Sequence, residues 1–264
     1  MPELPEVETI VRGLRKLVTG KEITEIISHR SGTISEERSE TGEYGRITGI
    51  RRRGKYLLID TDIQITIMIH LRMTGKLIFD KTEAGSQHLR AEIRFSDKTL
   101  LIFDDVRTFG KIIVMDSGKD VEHLSFLGPE PLETDFNEHY LSEKIKGRKA
   151  PVKNILLDQR IVAGLGNIYV VEILHRAGIS PEREGGLLTR KEINLIIEKT
   201  REVLQEAISC NGTTISDYRS VDDKSGEFQN FLRVYGKEKC KCGAEIKKIK
   251  QAGRTSYFCP NCQK

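Results

Sequence analysis

The spacing of apolar residues changes once along this 264-residue chain, and the change limits the folds open to it. From about Lys21 to Met115 the apolar residues come in short, β-branched runs bounded by turn residues: KYLLID, IQITIMIH, AEIRFS, LLIFD and KIIVMD. Runs of that length and composition predict strands, and several in succession predict a sandwich or barrel. Beyond GPEPLETDF (128–136), a Pro-rich acidic bridge, apolar residues recur at three and four. LSEKIKGR, PVKNILLDQ, GNIYVVEILHRAG and TRKEINLIIEKTREVLQEAIS therefore predict helices. Ahead of the strands, Ile10, Leu14, Leu17 and Val18 predict one helix of about three turns. NGTTISDYRSVDDKSGEFQ (211–229) is polar and Gly-containing, so it predicts a long loop.

Four of the five cysteines, Cys240, Cys242, Cys259 and Cys262, fall in the last 25 residues; the fifth is Cys210. No apolar run reaches membrane-spanning length, and the acidic start lacks the order of a signal peptide. A cytosolic chain without a membrane partner is expected. There, clustered cysteines point to metal rather than disulfides. The four thiolates predict a tetrahedral structural zinc site in a module too short to hold a core without metal. The first pair, Cys-Lys-Cys, is one residue tighter than the usual spacing. Between Lys237 and Lys264 eight Lys or Arg stand against two Glu, so the net charge of +4 is concentrated there. A basic module on a near-neutral body suits a polyanion, or is simply a solvated tail.

Three further features each carry two readings. MPELPEVETI sets Pro5 where a helix begins and Glu6 and Glu8 at the positive end of its dipole. Alternatively Met1 is removed and the nitrogen of Pro2 does chemistry. In VAGLGNIYVVEILHRAGISP (162–181) a helix stops at Gly164 and Gly166 and a new one starts at Asn167. That is a phosphate site on free backbone N–H groups, or an Asn-capped turn. Arg254, on the turn between the cysteine pairs, is a phosphate fork or an ordinary exposed arginine.

The motifs in order are MPELPEVET, RRGKYL (52–57), HLRMTG (70–75), DDVRTFG (104–110), LGPEPL (127–132), LLDQ, VAGLGNIYVVE and a terminal CPNCQK. Together they closely resemble the bacterial formamidopyrimidine-DNA glycosylases, the Fpg branch of the Fpg/Nei family, from first residue to last. The endonuclease VIII branch typically begins PEGPE. The resemblance implies an α+β fold: an N-terminal β-sandwich flanked by helices, then a helical helix–two-turn–helix domain with a zinc finger. The expected bounds are 1–127, a linker at 128–136, 137–236 and 237–264. DNA would lie in the cleft between domains.

The implied activity is excision of oxidised purines, chiefly 8-oxoguanine and formamidopyrimidines, followed by nicking of the strand. The family's chemistry places the nucleophile at Pro2, the proton shuttle at Glu3, a glutamate that positions the N-terminus at Glu6 and a lysine near the lesion phosphates at Lys55. Lys153, Asn167, Tyr235 and Arg254 match further DNA contacts, mainly to backbone, and His70 would sit in the same groove. Met73, Arg107 and Phe109 match the trio that fills the gap left by the flipped base; their places beside TG and FG turns predict loop tips. The implied partners are structural zinc and double-stranded DNA with oxidised bases or abasic sites, bound by a monomer at the bacterial nucleoid. The base-reading loop departs from the family: Ser216 stands where an Arg is usual and Glu227 where an aromatic is common. Two alternatives follow, a glycosylase for oxidised pyrimidines and a non-catalytic, zinc-dependent DNA-binding relic.

Overall fold

Helix α1 (Leu4–Val18) forms because Leu4, Val7, Ile10, Val11, Leu14 and Val18 fall on one face, and all six are buried. It is a turn longer than the spacing predicted, since Leu4 and Val7 carry the apolar stripe back to its start. The computed structural model describes residues 1–39, 42–80, 87–214 and 226–264. They form two units, Met1–Ser125 with Cys210–Glu227, and Phe126–Ser209 with Phe228–Lys264.

Among the described residues of the first unit nine strands follow α1: β1 (Ile23–Ser28), β2 (Ile34–Glu37), β3 (Ile47–Arg53), β4 (Tyr56–Thr61), β5 (Ile65–His70), β6 (Gly75–Asp80), β7 (Leu89–Phe95), β8 (Leu100–Asp105) and β9 (Lys111–Asp116). One sheet has the order β1-β7-β8-β6 and the other β2-β9-β5-β4-β3. Neighbours are antiparallel except β2 and β9, which run parallel. Ile93, Leu101 and Phe103 of the first sheet meet Ile59, Ile67 and Val114 of the second and the apolar face of α1 in one core. This is the sandwich the strand runs predicted. Central strands β5 and β8 are buried at every position, which is why their sequences read as continuous apolar runs. β5 starts at Ile65 rather than Ile63, because Gln64 takes φ 61° in the turn from β4 and leaves Ile63 exposed. A short helix, α2 (Lys119–His123), lies against β9.

The second unit holds α3 (Glu138–Ile145), α4 (Val152–Leu157), α5 (Asn167–Ala177) and α6 (Arg190–Ser209). α5 packs on α4 and α6, with Tyr169, Ile173 and Leu174 fully buried. α4 ends at Leu157, earlier than the stop read at Gly164 and Gly166, and an irregular turn leads to α5. Gln159 braces that turn: its Nε2 donates to Leu165 O at 2.8 Å and its Oε1 accepts Gly164 N–H at 2.9 Å. The bridge at 128–136 is fastened to this unit. Gly128 N–H donates to Gln159 O, Ala163 N–H donates to Pro129 O, and Phe136 is buried. The chain ends in an antiparallel hairpin of β10 (Lys247–Gln251) and β11 (Arg254–Phe258). Among the described residues no helix is long and apolar enough to cross a membrane.

Candidate functional site

The N-terminal stretch turns its carboxylates inward. Pro2 is buried, and Glu3 and Glu6 are 3% and 2% exposed. Glu3 precedes α1 in extended backbone, and Pro5 takes the first turn, where no amide hydrogen is needed. Glu6 uses both carboxylate oxygens on backbone amides. Oε2 accepts Glu3 N–H at 2.7 Å, and Oε1 accepts the N–H of Thr213, 207 residues away, at 2.8 Å. Glu6 thus ties the N-terminus to the foot of the 211–229 stretch. Gly212 has φ +81°, and a Cβ there would lie 2.8 Å from Glu6 Oε1, so only glycine lets the backbone come this close. Ser216 lies outside the described residues. Glu227 is exposed, and its N–H donates to Cys210 O.

Lys55, in the turn between β3 and β4, and His70, at the end of β5, are both buried. The His70 ring meets Tyr56 edge-on at 4.5 Å, and its Nδ1 accepts Arg72 N–H at 2.9 Å. Burial, then the charges of Arg72 and Lys55, push its pKa down to about 3. His70 is therefore neutral at pH 7, with its proton assigned to Nε2.

Met73 and Phe109 are 42% and 51% exposed, large apolar side chains held out on loops, and the exposed Arg107 lays its guanidinium over the Phe109 ring at 5.0 Å. Both loops hang from Asp105, a buried carboxylate at the end of β8. Its Oδ2 accepts Gly110 N–H at 2.8 Å; its Oδ1 accepts the Thr74 hydroxyl and, at 3.2 Å, Arg107 N–H. Thr74 Oγ1 also accepts Arg107 N–H at 3.0 Å, so the two tips are registered to each other. Gly110 is required by closeness: a Cβ would sit 2.3 Å from Phe103 Cζ. Asp105→Ala should cost roughly 2–4 kcal/mol, because the Thr74 hydroxyl and the buried Gly110 N–H lose their acceptor together and Arg107 N–H keeps only Thr74 Oγ1. Urea unfolding measures this; a loss below about 0.5 kcal/mol would refute the role given to Asp105.

In the second unit, Lys153 on α4 is 0% exposed and its ammonium has no hydrogen-bond partner. Burial, then the charge of Arg254, push its pKa down to about 8. Asn167 opens α5. Its Nδ2 donates to Thr255 O at 3.0 Å, while its buried Oδ1 has no partner. Arg254 opens β11 and is exposed. A buried cation without a counter-ion next to a second cation is an arrangement that an anion stabilises. Tyr235 packs on Tyr257 with ring centroids 5.0 Å apart. It is held by Glu172, fully buried on α5, whose carboxylate accepts the N–H groups of Arg233, Val234 and Tyr235 at 2.8, 2.9 and 2.8 Å.

The four cysteine sulfurs of the tail lie within 4.8 Å of one another, with Cys240 and Cys262 at 3.9 Å and Cys242 and Cys259 at 3.5 Å. Tetrahedral zinc with Zn–S bonds of about 2.3 Å sets sulfurs about 3.8 Å apart. The donor set therefore fits zinc. The tight Cys-Lys-Cys pair still converges, because Gly243, at φ +89°, turns the chain back and donates its N–H to Cys240 O. The module is a structural zinc finger, as the cysteine spacing led us to expect.

The structure thus groups Pro2, Glu3 and Glu6; Lys55 and His70; Met73, Arg107 and Phe109; and Lys153, Asn167 and Arg254. Sequence reasoning missed Asp105 and Glu172. The available signal was a carboxylate at the end of an apolar strand and one inside an apolar helix, each of which must find donors once buried.

Comparison with known proteins agrees with this organisation. Residues 1–112 match the formamidopyrimidine-DNA glycosylase N-terminal domain, residues 127–219 its H2TH domain, and residues 237–264 the zinc finger found in FPG and IleRS. A formamidopyrimidine-DNA glycosylase of Novosphingobium aromaticivorans is 42% identical over 271 residues, covering all of both chains. A Lactococcus lactis FPG mutant, crystallised with DNA containing Fapy-dG, superposes with TM-score 0.91 at 39% identity and full coverage of both chains. The Lactococcus lactis Fpg complex with abasic-site DNA gives 0.90 at 38% identity, covering 99% of each chain. With the sandwich, the helical unit, the zinc module and full-length similarity in agreement, the chain belongs to the formamidopyrimidine-DNA glycosylase family.

Proposed function

We propose that this chain is a bifunctional DNA glycosylase and AP lyase that removes oxidised purines, formamidopyrimidines and 8-oxoguanine, from duplex DNA. The observation that carries the reading is the buried Pro2–Glu3–Glu6 start, with both oxygens of Glu6 engaged on backbone. Once Met1 is removed, Pro2 has a secondary α-amine. Reference α-amines titrate near 7.7–8.0 and lysines near 10.4, so at pH 7 roughly a tenth of the former are neutral and nucleophilic. The amine attacks the sugar C1′, the bond from C1′ to the damaged base breaks, and the base leaves with a proton. The nitrogen gives up its proton, the C1′–O4′ bond of the sugar ring breaks as O4′ takes a proton from Glu3, and the nitrogen and C1′ are left as a cationic iminium. That cation acidifies C2′; loss of a C2′ proton expels the 3′ phosphate, and a second elimination expels the 5′ phosphate.

Glu3 supplies and accepts the protons at the sugar. Glu6 holds rather than shuttles, because its oxygens are occupied by the N–H groups of Glu3 and Thr213. Lys153, Asn167 and Arg254 take a backbone phosphate, which positions DNA and reads no sequence. Met73, Arg107 and Phe109 fill the gap left by the extruded base, recovering part of the few kcal/mol that flipping costs. Lys55, His70 and Tyr235 complete the backbone contacts. The supporting relatives are proteins solved with Fapy-dG and abasic-site DNA.

Borohydride trapping tests the reading. A duplex carrying 8-oxoguanine opposite C should yield a covalent adduct that maps to Pro2. An adduct on thymine glycol DNA but not on 8-oxoguanine DNA would move the substrate to oxidised pyrimidines. No adduct on lesion or abasic duplexes, with Pro2 confirmed as the N-terminus, would sink the enzyme reading.

Lys153 adds a pH dependence. Its free pKa is about 8, and a phosphate alongside favours the ammonium, so the bound value is higher. Binding above pH 8 then takes up a proton, and affinity falls as pH rises, by at most about tenfold per unit. Fluorescence anisotropy with an uncleavable duplex, from pH 7 to 10 at fixed salt, should show the decline. Lys153→Met should bind more weakly and lose that part of the slope; an identical slope in the variant would remove Lys153 from the phosphate contact.

A further inference from the structure

The shortened Cys-Lys-Cys pair leaves a problem that the zinc fit alone does not solve. Four thiolates on one divalent zinc carry a net negative charge, which hydrogen-bond donors must offset. Backbone N–H groups in the loop after the first cysteine are the ordinary source, and a pair one residue shorter has one fewer amide to offer. Here the Cys242 N–H is directed at the Cys240 sulfur, and the Ala244 N–H at the Cys242 sulfur.

A second donor comes from outside the module. His175, in the last turn of α5, places Nε2 3.5 Å from Cys240 Sγ. Its other ring nitrogen, Nδ1, is buried without a partner. The same stretch of α5 sends Val171 into the cluster formed by Cys240, Cys259, Ile246 and Val234. It also sends Glu172 to the backbone of Arg233–Tyr235, just ahead of the module. α5 is the surface on which the zinc module is set.

We propose that His175 is a positioning residue for the zinc site, donating its Nε2–H to the Cys240 thiolate and standing in for the amide that the shortened pair lacks. A zinc-bound cysteine has lost its proton and can only accept, so the shared hydrogen belongs to the imidazole. This fixes the tautomer with Nδ1 unprotonated, and burying that nitrogen unpaired is a cost the contact with sulfur has to offset. His175 is not itself a zinc ligand, because the four sulfurs, all within 4.8 Å of one another, already supply the four ligands that structural zinc takes.

The test uses the full-length, zinc-loaded protein. Long-range proton–nitrogen NMR of the His175 ring reads its tautomer directly; Nε2–H is expected and Nδ1–H overturns the proposal. His175→Phe keeps a ring of similar size without a donor, and His175→Gln keeps an N–H at similar reach. Zinc transfer to a chromogenic chelator should run roughly tenfold faster in the Phe variant. In that variant Cys240 should become the first of the four zinc-binding cysteines alkylated by iodoacetamide, and the Gln variant should restore most of the protection. Equal zinc transfer and equal Cys240 alkylation in wild type and the Phe variant would overturn it. Cobalt substitution separates donor from ligand: a four-sulfur spectrum unchanged by His175→Phe is expected, and a nitrogen contribution lost in the variant overturns the assignment. Should the Phe variant fail to fold, the wild-type tautomer and cobalt spectrum still decide.

Discussion

Inserting a glutamine between Met1 and Pro2 should abolish both base release and strand cutting while leaving DNA binding in place. A bulky second residue keeps Met1 on the chain, and Pro2 nitrogen stays in an amide. Its lone pair is then delocalised into the carbonyl and cannot attack C1′. Removing the nucleophile from a site whose groups act as a unit should lower turnover roughly 10³-fold or more. Binding to an uncleavable duplex should change little, because the Lys153, Asn167 and Arg254 group is untouched. Pro2→Ala is the informative partner. It keeps an α-amine of similar reference pKa, but its adduct is an imine that must gain a proton to match the permanent charge of a proline iminium. It should therefore be slow rather than dead. An inserted variant, shown by mass to retain Met1, that still cuts 8-oxoguanine DNA would eliminate Pro2 as the nucleophile.

How much of this was legible beforehand depended on whether the signal was local. Strand runs, the α1 stripe and the cysteine module each depend on residues within a few positions, and the structure follows them closely. Where it differs, the reason is a single backbone torsion, as at Gln64, or an apolar stripe that reached further, as at Leu4 and Val7. The partners of buried carboxylates were not legible. Period and composition state which face a residue occupies, not what it meets there. That Glu6 would bind an amide 207 residues away, or that one Asp105 would anchor both exposed tips, are facts of packing. The same limit hid the return of Cys210–Glu227 to the first unit after the helices of the second. His70 shows the limit in charge: the resemblance implied a place in the DNA groove, but not that the fold buries the ring and keeps it neutral.

Stripping zinc, or replacing Cys259 by Ser, should unfold the terminal module and weaken DNA binding without unfolding the sandwich. Residues 237–264 amount to fewer than the ~40 at which a chain usually holds a core unaided. The buried cluster behind the module is small: Val171, Val234, Cys240, Ile246 and Cys259. Burial at roughly 1.5–3 kcal/mol per large apolar side chain cannot offset the entropy of ordering so many residues. Zinc supplies the difference, since structural zinc binding is worth on the order of 10–16 kcal/mol in isolated fingers. With the hairpin lost, Arg254 leaves the phosphate site proposed for it and Asn167 loses the Thr255 carbonyl it donates to. A charged hydrogen bond is worth about 1.5–3 kcal/mol, so DNA affinity should fall about 10- to 100-fold. The salt dependence should also flatten, because a phosphate contact is gone. Amide NMR of the zinc-free protein, with DNA titrations at two salt concentrations, reads both consequences. A zinc-free protein that keeps the β10–β11 resonances and the same salt slope would show that the metal neither folds the module nor places Arg254.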